Sequence, residues 1–207
     1  MVEHEKISKF INYNYTPFDK KQCLKRLFIV WITSVALSLL GEKNIPWMLM
    51  LGLIDLSISI MFITLMARYN QLQIARYLCD GIFYLYMSVT LNLASYRIMA
   101  IQNGSNWMLA TILMSLLMIC ICIFVYIVFL NIKSENYSEK SIPKRTISLQ
   151  CLGGIVGVFV ARSLLPGQSQ QEALTLLSYM LLILSFIMGI PSITLLKALF
   201  CKKYIKE

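Results

Sequence analysis

The chain has 207 residues, a formal net charge of +9, 58% hydrophobic residues and 14% charged ones. That balance lies outside the range of soluble globular proteins and describes a single integral membrane domain over 1–207. Nucleic acid is excluded as the obvious partner of a basic chain, because the basic residues follow a membrane topology and anionic lipid at the inner leaflet accounts for them.

Residues 1–23 form a polar, basic tail. Within Glu3–Tyr15, Ile7, Phe10 and Ile11 recur at helical spacing beside Lys6 and Lys9. The pattern predicts a short amphipathic helix lying on the inner leaflet, closed by Thr16-Pro17. Six apolar stretches follow, at roughly 24–42, 47–67, 77–100, 107–130, 147–165 and 173–200. Each approaches the ~20 helical residues that cross a hydrocarbon core. The first follows a polar tail and leads straight into the second, so it reads as a first transmembrane helix, not a cleaved signal peptide.

The expected fold is therefore all-α: a polytopic membrane bundle (24–200) of about six segments, with an inner loop at 131–146 and a cytoplasmic tail at 201–207. Of the 19 basic residues, 16 lie in the N-terminal tail, the second and fourth gaps and the C-terminal end. Under the positive-inside rule both termini face the cytoplasm, and the expected compartment is a cell membrane. Trp47 and Trp107 fall at the expected outer interface, where amphipathic rings settle.

The second stretch contains Asp55, with Ser59 four residues on and on the same face. A carboxylate at that depth must face the bundle interior or be protonated. It serves either as a hydrogen-bonded packing residue or as a polar lining for a peptide or ion path. The fifth stretch carries Gly153, Gly157 and Ala161, a small-xxx-small stripe for close helix packing. The stripe suits an intramolecular seam, a homodimer face or pairing with a paralogue. In the sixth, Gly189-Ile190-Pro191 removes a backbone hydrogen bond and predicts a break. The six cysteines lie in spans or at their inner ends, which argues against a disulfide framework. Cys120-x-Cys122 points to two faces of a helix, so the expectation is no metal and no cofactor.

The segment Arg68-Tyr69-Asn70-Gln71-Leu72-Gln73-Ile74-Ala75-Arg76-Tyr77-Leu78-Cys79-Asp80 closes the second inner gap and opens the third span. Four features meet here: the opening Glu5–Ile11 segment, the six-segment layout, Cys79 at this entrance, and the polar loop Ser134–Arg145 with Pro143. Together they resemble the accessory gene regulator B family, membrane endopeptidases that process a quorum-sensing propeptide from the cytoplasmic side. The resemblance covers nearly the whole chain, although each motif is weak. It implies Cys79 as candidate nucleophile, with a histidine seven residues earlier. Leu72 stands there instead, and the small, Gly-rich approach is replaced by Tyr69-Asn70-Gln71.

The substitution matters because a cysteine attacks as thiolate and a leaving amine needs a proton. Leucine supplies neither. Arg76 can share the Cys79 face and favour negative charge, but it cannot shuttle a proton. Asp80 can accept a hydrogen bond yet opposes a thiolate beside it. His4 is the one histidine in the sequence and faces the same side. Otherwise Cys79 is a small hydrophobe at a helix start. Two readings remain: a membrane cysteine endopeptidase acting on a short amphipathic propeptide, its catalysis impaired or lost, or a non-catalytic membrane protein that binds or exports a peptide or regulates a partner. The basic residues Lys6, Lys9, Lys140, Lys144 and Arg145 suit an acidic propeptide tail and lipid headgroups equally.

Overall fold

The computed structural model describes residues 2–13, 17–39, 45–68, 73–104, 106–133 and 170–204. The described residues form helices α1 (Val2–Asn12), α2 (Lys20–Leu39), α3 (Ile45–Arg68), α4 (Gln73–Asn103), α5 (Trp107–Lys133), α6 (Gln170–Gly189) and α7 (Thr194–Tyr204), with a 3-10 turn at Ile190–Ile193 joining the last two. No strand occurs among them. The fifth predicted stretch, with Gly153, Gly157 and Ala161, lies outside the described residues, as do Leu72 and loop residues 134–146. Asn131, Ile132 and Lys133, assigned to that loop, continue α5 instead.

Helix ends follow local chemistry. The Asp19 carboxylate accepts the Lys21 amide at 2.9 Å and caps α2. Asn106 Oδ1 accepts the amides of Met108 and Leu109 at 3.0 and 3.3 Å and caps α5. Between α4 and α5, Gly104 takes φ +78°, a left-handed conformation that costs glycine little. The break at Pro191 is present as a 3-10 turn rather than a bend within one α-helix.

Four segments are long and apolar enough to cross a membrane: Lys20–Leu39, Met48–Ala67, Trp107–Lys133 and Leu174–Lys203. Large apolar side chains such as Phe28, Leu53, Ile119 and Ile183 cover their outer surfaces. Water does not favour so much exposed hydrocarbon, whereas lipid does. Helix α4 is the exception. Its 31 residues would extend about 46 Å, yet it buries Arg76, Ser88, Thr90, Asn92 and Ser95. It packs on α2, α3, α5, α6 and α7, most extensively on α6. Its polarity follows from that central place, where neighbouring backbone answers its side chains.

The α4–α6 seam shows how. Ser88 Oγ donates to the Ser185 carbonyl at 2.8 Å, and Ser95 Oγ donates to the Ser178 carbonyl at 2.7 Å. Both pairs repeat at a spacing of seven, so two antiparallel helices meet along small hydroxyl-bearing side chains. At the other end of α4, a Cβ placed on Gly81 would stand 2.8 Å from the Leu195 backbone nitrogen. That close approach seats α7 against the start of α4.

Helix α1 forms as its spacing predicts, but its apolar face is not turned to a membrane surface. Phe10 and Ile11 are buried, and Ile11 packs with Tyr77, Ala198 and Cys201. The reason is the better partner: α4 and α7 offer a ready apolar groove. Lys197 completes the latch. Its ammonium donates to the Tyr13 carbonyl and lies 5.2, 5.6 and 5.3 Å from the ring centres of Phe10, Tyr13 and Tyr77.

Candidate functional site: the thiol–arginine cluster of α2 and α4

Helices α2 and α4 run parallel. Cys23, Arg26, Val30 and Thr33 on α2 meet Cys79, Asp80, Tyr86 and Met87 on α4 in the same order. At the start of this pair sits the densest polar cluster among the described residues. The Arg26 guanidinium donates to Asp80 Oδ1, and Arg76 Nε lies 3.1 Å from Asp80 Oδ2. Arg26 Nη1 also reaches Cys79 Sγ at 3.8 Å. The Cys79 thiol donates to Cys23 Sγ at 3.2 Å. Arg76 donates from Nη1 to Gln22 Oε1.

Two guanidiniums facing one carboxylate leave a positive excess beside two thiols. Of the two, Arg26 makes the contact with a thiol, that of Cys79. Arg26 also lies 5.4 and 5.8 Å from the ring centres of Phe83 and Tyr84. The aromatic faces hold the guanidinium over the thiols and exclude water.

Each sequence-derived site residue can now be located. Cys79 is 1% exposed, enclosed with Cys23 between the helices. Arg76 shares the local face, as its spacing predicts, but both of its observed side-chain partners are other than Cys79: Asp80 and Gln22. Asp80 accepts from Arg26 and is ion-paired with Arg76, so both of its carboxylate oxygens face a guanidinium. His4 belongs to α1, and its side chain lies outside the described residues. Two members of the cluster carry no local signal, namely Cys23 and Arg26. Arg26 counts in the sequence merely as one more inner-side cation. Helix α2 is the element that brings it to Asp80.

Asp55 is elsewhere. It is 1% exposed and accepts the Tyr86 hydroxyl at 2.8 Å. Ser59, on the same face, donates to the Asp55 carbonyl at 2.7 Å and accepts the Trp31 indole at 3.1 Å. This network ties α2, α3 and α4 together and has the form of a packing device.

Compared with family models, with curated proteins and with solved structures, the chain matches none. The chemistry of the site therefore rests on its geometry. Among the described residues no group of three or more histidine, cysteine, aspartate or glutamate side chains gathers to hold a metal. Among the described residues the cluster offers two thiols in contact, a positive environment and a carboxylate already paired with two guanidiniums.

Proposed function

We propose that this is a polytopic protein of the bacterial cytoplasmic membrane, of accessory gene regulator B type, that holds a short amphipathic propeptide at its inner face and has lost the cleavage step. The observation that carries this reading is the state of Cys79. Its sulfur is buried against Cys23 and Arg26, and the adjacent carboxylate is occupied by two guanidiniums. Among the described residues, a thiol in that setting has charge stabilisation but no histidine and no unpaired carboxylate beside it to take its proton or return one to a leaving amine. Leu72, in the position the resemblance assigns to histidine, adds none.

The six-span topology with both termini inside has its own support. Helix α1 packs on α7, and Lys6 Nζ donates to the Lys133 carbonyl at 3.3 Å. The N-terminal helix, the end of α5 and the end of the described chain therefore share one end of the bundle. Helix α6 runs antiparallel to α4 and starts beyond Ser95, at the opposite end. Lys133 and Gln170 stand at opposite ends of the bundle, which supports reading the apolar run 147–165 between them in the sequence as a further crossing. With that crossing, the basic end is cytoplasmic by the positive-inside rule. There Lys6 and Lys9 would meet an acidic peptide tail or anionic lipid.

The test is co-expression with a short candidate propeptide that has an amphipathic start and an acidic tail, following peptide mass for wild type, Cys79→Ala and Leu72→His. The expected result is uncut peptide with the first two and cleavage gained with Leu72→His. Cleavage by the wild type that disappears in Cys79→Ala would show an active enzyme and overturn the loss of catalysis. No association of the peptide with any variant would leave a membrane protein unconnected with peptide signalling.

A further inference from the structure

The contact between the two thiols has a consequence independent of peptide handling. Cys23 and Cys79 are separated by 56 positions, yet their sulfurs stand 3.2 Å apart. That is closer than ordinary sulfur–sulfur packing and needs a small further approach to become a bond of ~2.05 Å. Both side chains are 1% exposed, so each is the other's nearest reactive group while bulky thiols are kept out. Arg26 Nη1, 3.8 Å from Cys79 Sγ, supplies a positive group of the kind that favours attack by a cysteine sulfur. In a reducing compartment, a disulfide with these properties is transient and serves as a sensor.

We propose that Cys23 and Cys79 form a reversible disulfide, driven by a hydroperoxide small enough to enter the bundle, that clamps the start of α2 to the start of α4. In the first step, Cys79 sulfur attacks one peroxide oxygen. An S–O bond forms, the O–O bond breaks, and the alcohol (water, for hydrogen peroxide) leaves with the thiol proton. In the second, Cys23 sulfur attacks the Cys79 sulfenic sulfur. The S–S bond forms, the S–O bond breaks, and hydroxide departs as water with the Cys23 proton. Two thiols are oxidised and one hydroperoxide is reduced. A dithiol reverses the bond by exchange.

The experiment uses the full chain in membrane vesicles with hydrogen peroxide as probe. After quenching and denaturation, the remaining thiols are alkylated with a maleimide and the protein is weighed and mapped. The expected result is two fewer alkylations than the six of the reduced chain, a mapped Cys23–Cys79 link, and its loss with dithiothreitol. Cys23→Ser should leave Cys79 as a sulfenic acid that dimedone traps, and a Cys120→Ser/Cys122→Ser variant should form the link as wild type does. Six alkylations after peroxide, or a link between other cysteines, would overturn the proposal. Should Cys23→Ser fail to fold, the wild-type map decides by itself.

Discussion

Arg26 on α2 donates to Asp80 on α4 across two parallel helices, and no pattern local to either helix foretells the pairing. The side chains are nearly enclosed, at 9% and 14% exposure. Breaking a buried pair strands the remaining charge, a loss of about 3–5 kcal/mol. Arg26→Leu should therefore lower the thermal midpoint in detergent strongly. Asp80→Leu should lower it at least as far, because it takes the carboxylate from both guanidiniums, whereas after Arg26→Leu the carboxylate keeps Arg76. Equal midpoints for wild type and Arg26→Leu would contradict this role.

The Tyr86–Asp55 bond makes a second prediction. Tyr86→Phe removes the hydroxyl that the buried carboxylate accepts, which should destabilise the bundle by about 1–3 kcal/mol. Adding Asp55→Leu should cost less than the sum of the two single changes, since residues in one network are coupled. Chemical unfolding of the four proteins measures the cycle. Strict additivity would separate the two side chains.

Glycine substitutions discriminate by position. Gly81→Ala sets a methyl group 2.8 Å from the Leu195 nitrogen and should destabilise by about 1–3 kcal/mol or shift α7 outward. Gly52→Ala meets nothing within 4 Å and should be neutral, or stabilising by up to ~1 kcal/mol. Thermal midpoints of the two variants should move in different directions.

Docking of α1 predicts protection. Phe10 is buried against Phe200 with ring centres 6.1 Å apart. Phe10→Ala should release α1 by about 3 kcal/mol and speed trypsin cleavage after Lys9 by roughly a hundredfold, because local opening controls proteolysis. Unchanged cleavage would mean that α1 is not held by this contact.

Much of the fold was legible because helix length and apolar runs are local properties. The apolar stretches became α2, α3, α4, α5 and the α6–α7 segment, and Gly189-Ile190-Pro191 became a turn, since proline acts on its own backbone. Asp55 was legible as an interior residue for a similar reason: lipid penalises a carboxylate wherever the chain pairs it. The partnerships were not legible. Periodicity reports which face is apolar but not which helix meets it, so Cys23 and Arg26 drew no notice beside Cys79 and Asp80. The same ambiguity sent the apolar face of α1 to lipid rather than to Tyr77 and Ala198. The Ser88 and Ser95 repeat was present in the sequence at heptad spacing, overshadowed by the glycine stripe at Gly153.

The most direct test is to purify the wild-type protein from cells that also express a short candidate propeptide with an amphipathic start and an acidic tail, and to weigh the peptide that accompanies it. The peptide is expected to be retained at full length, because among the described residues the carboxylate beside Cys79 is already paired with two guanidiniums. A shortened peptide, absent when Cys79→Ala is purified in the same way, would contradict it.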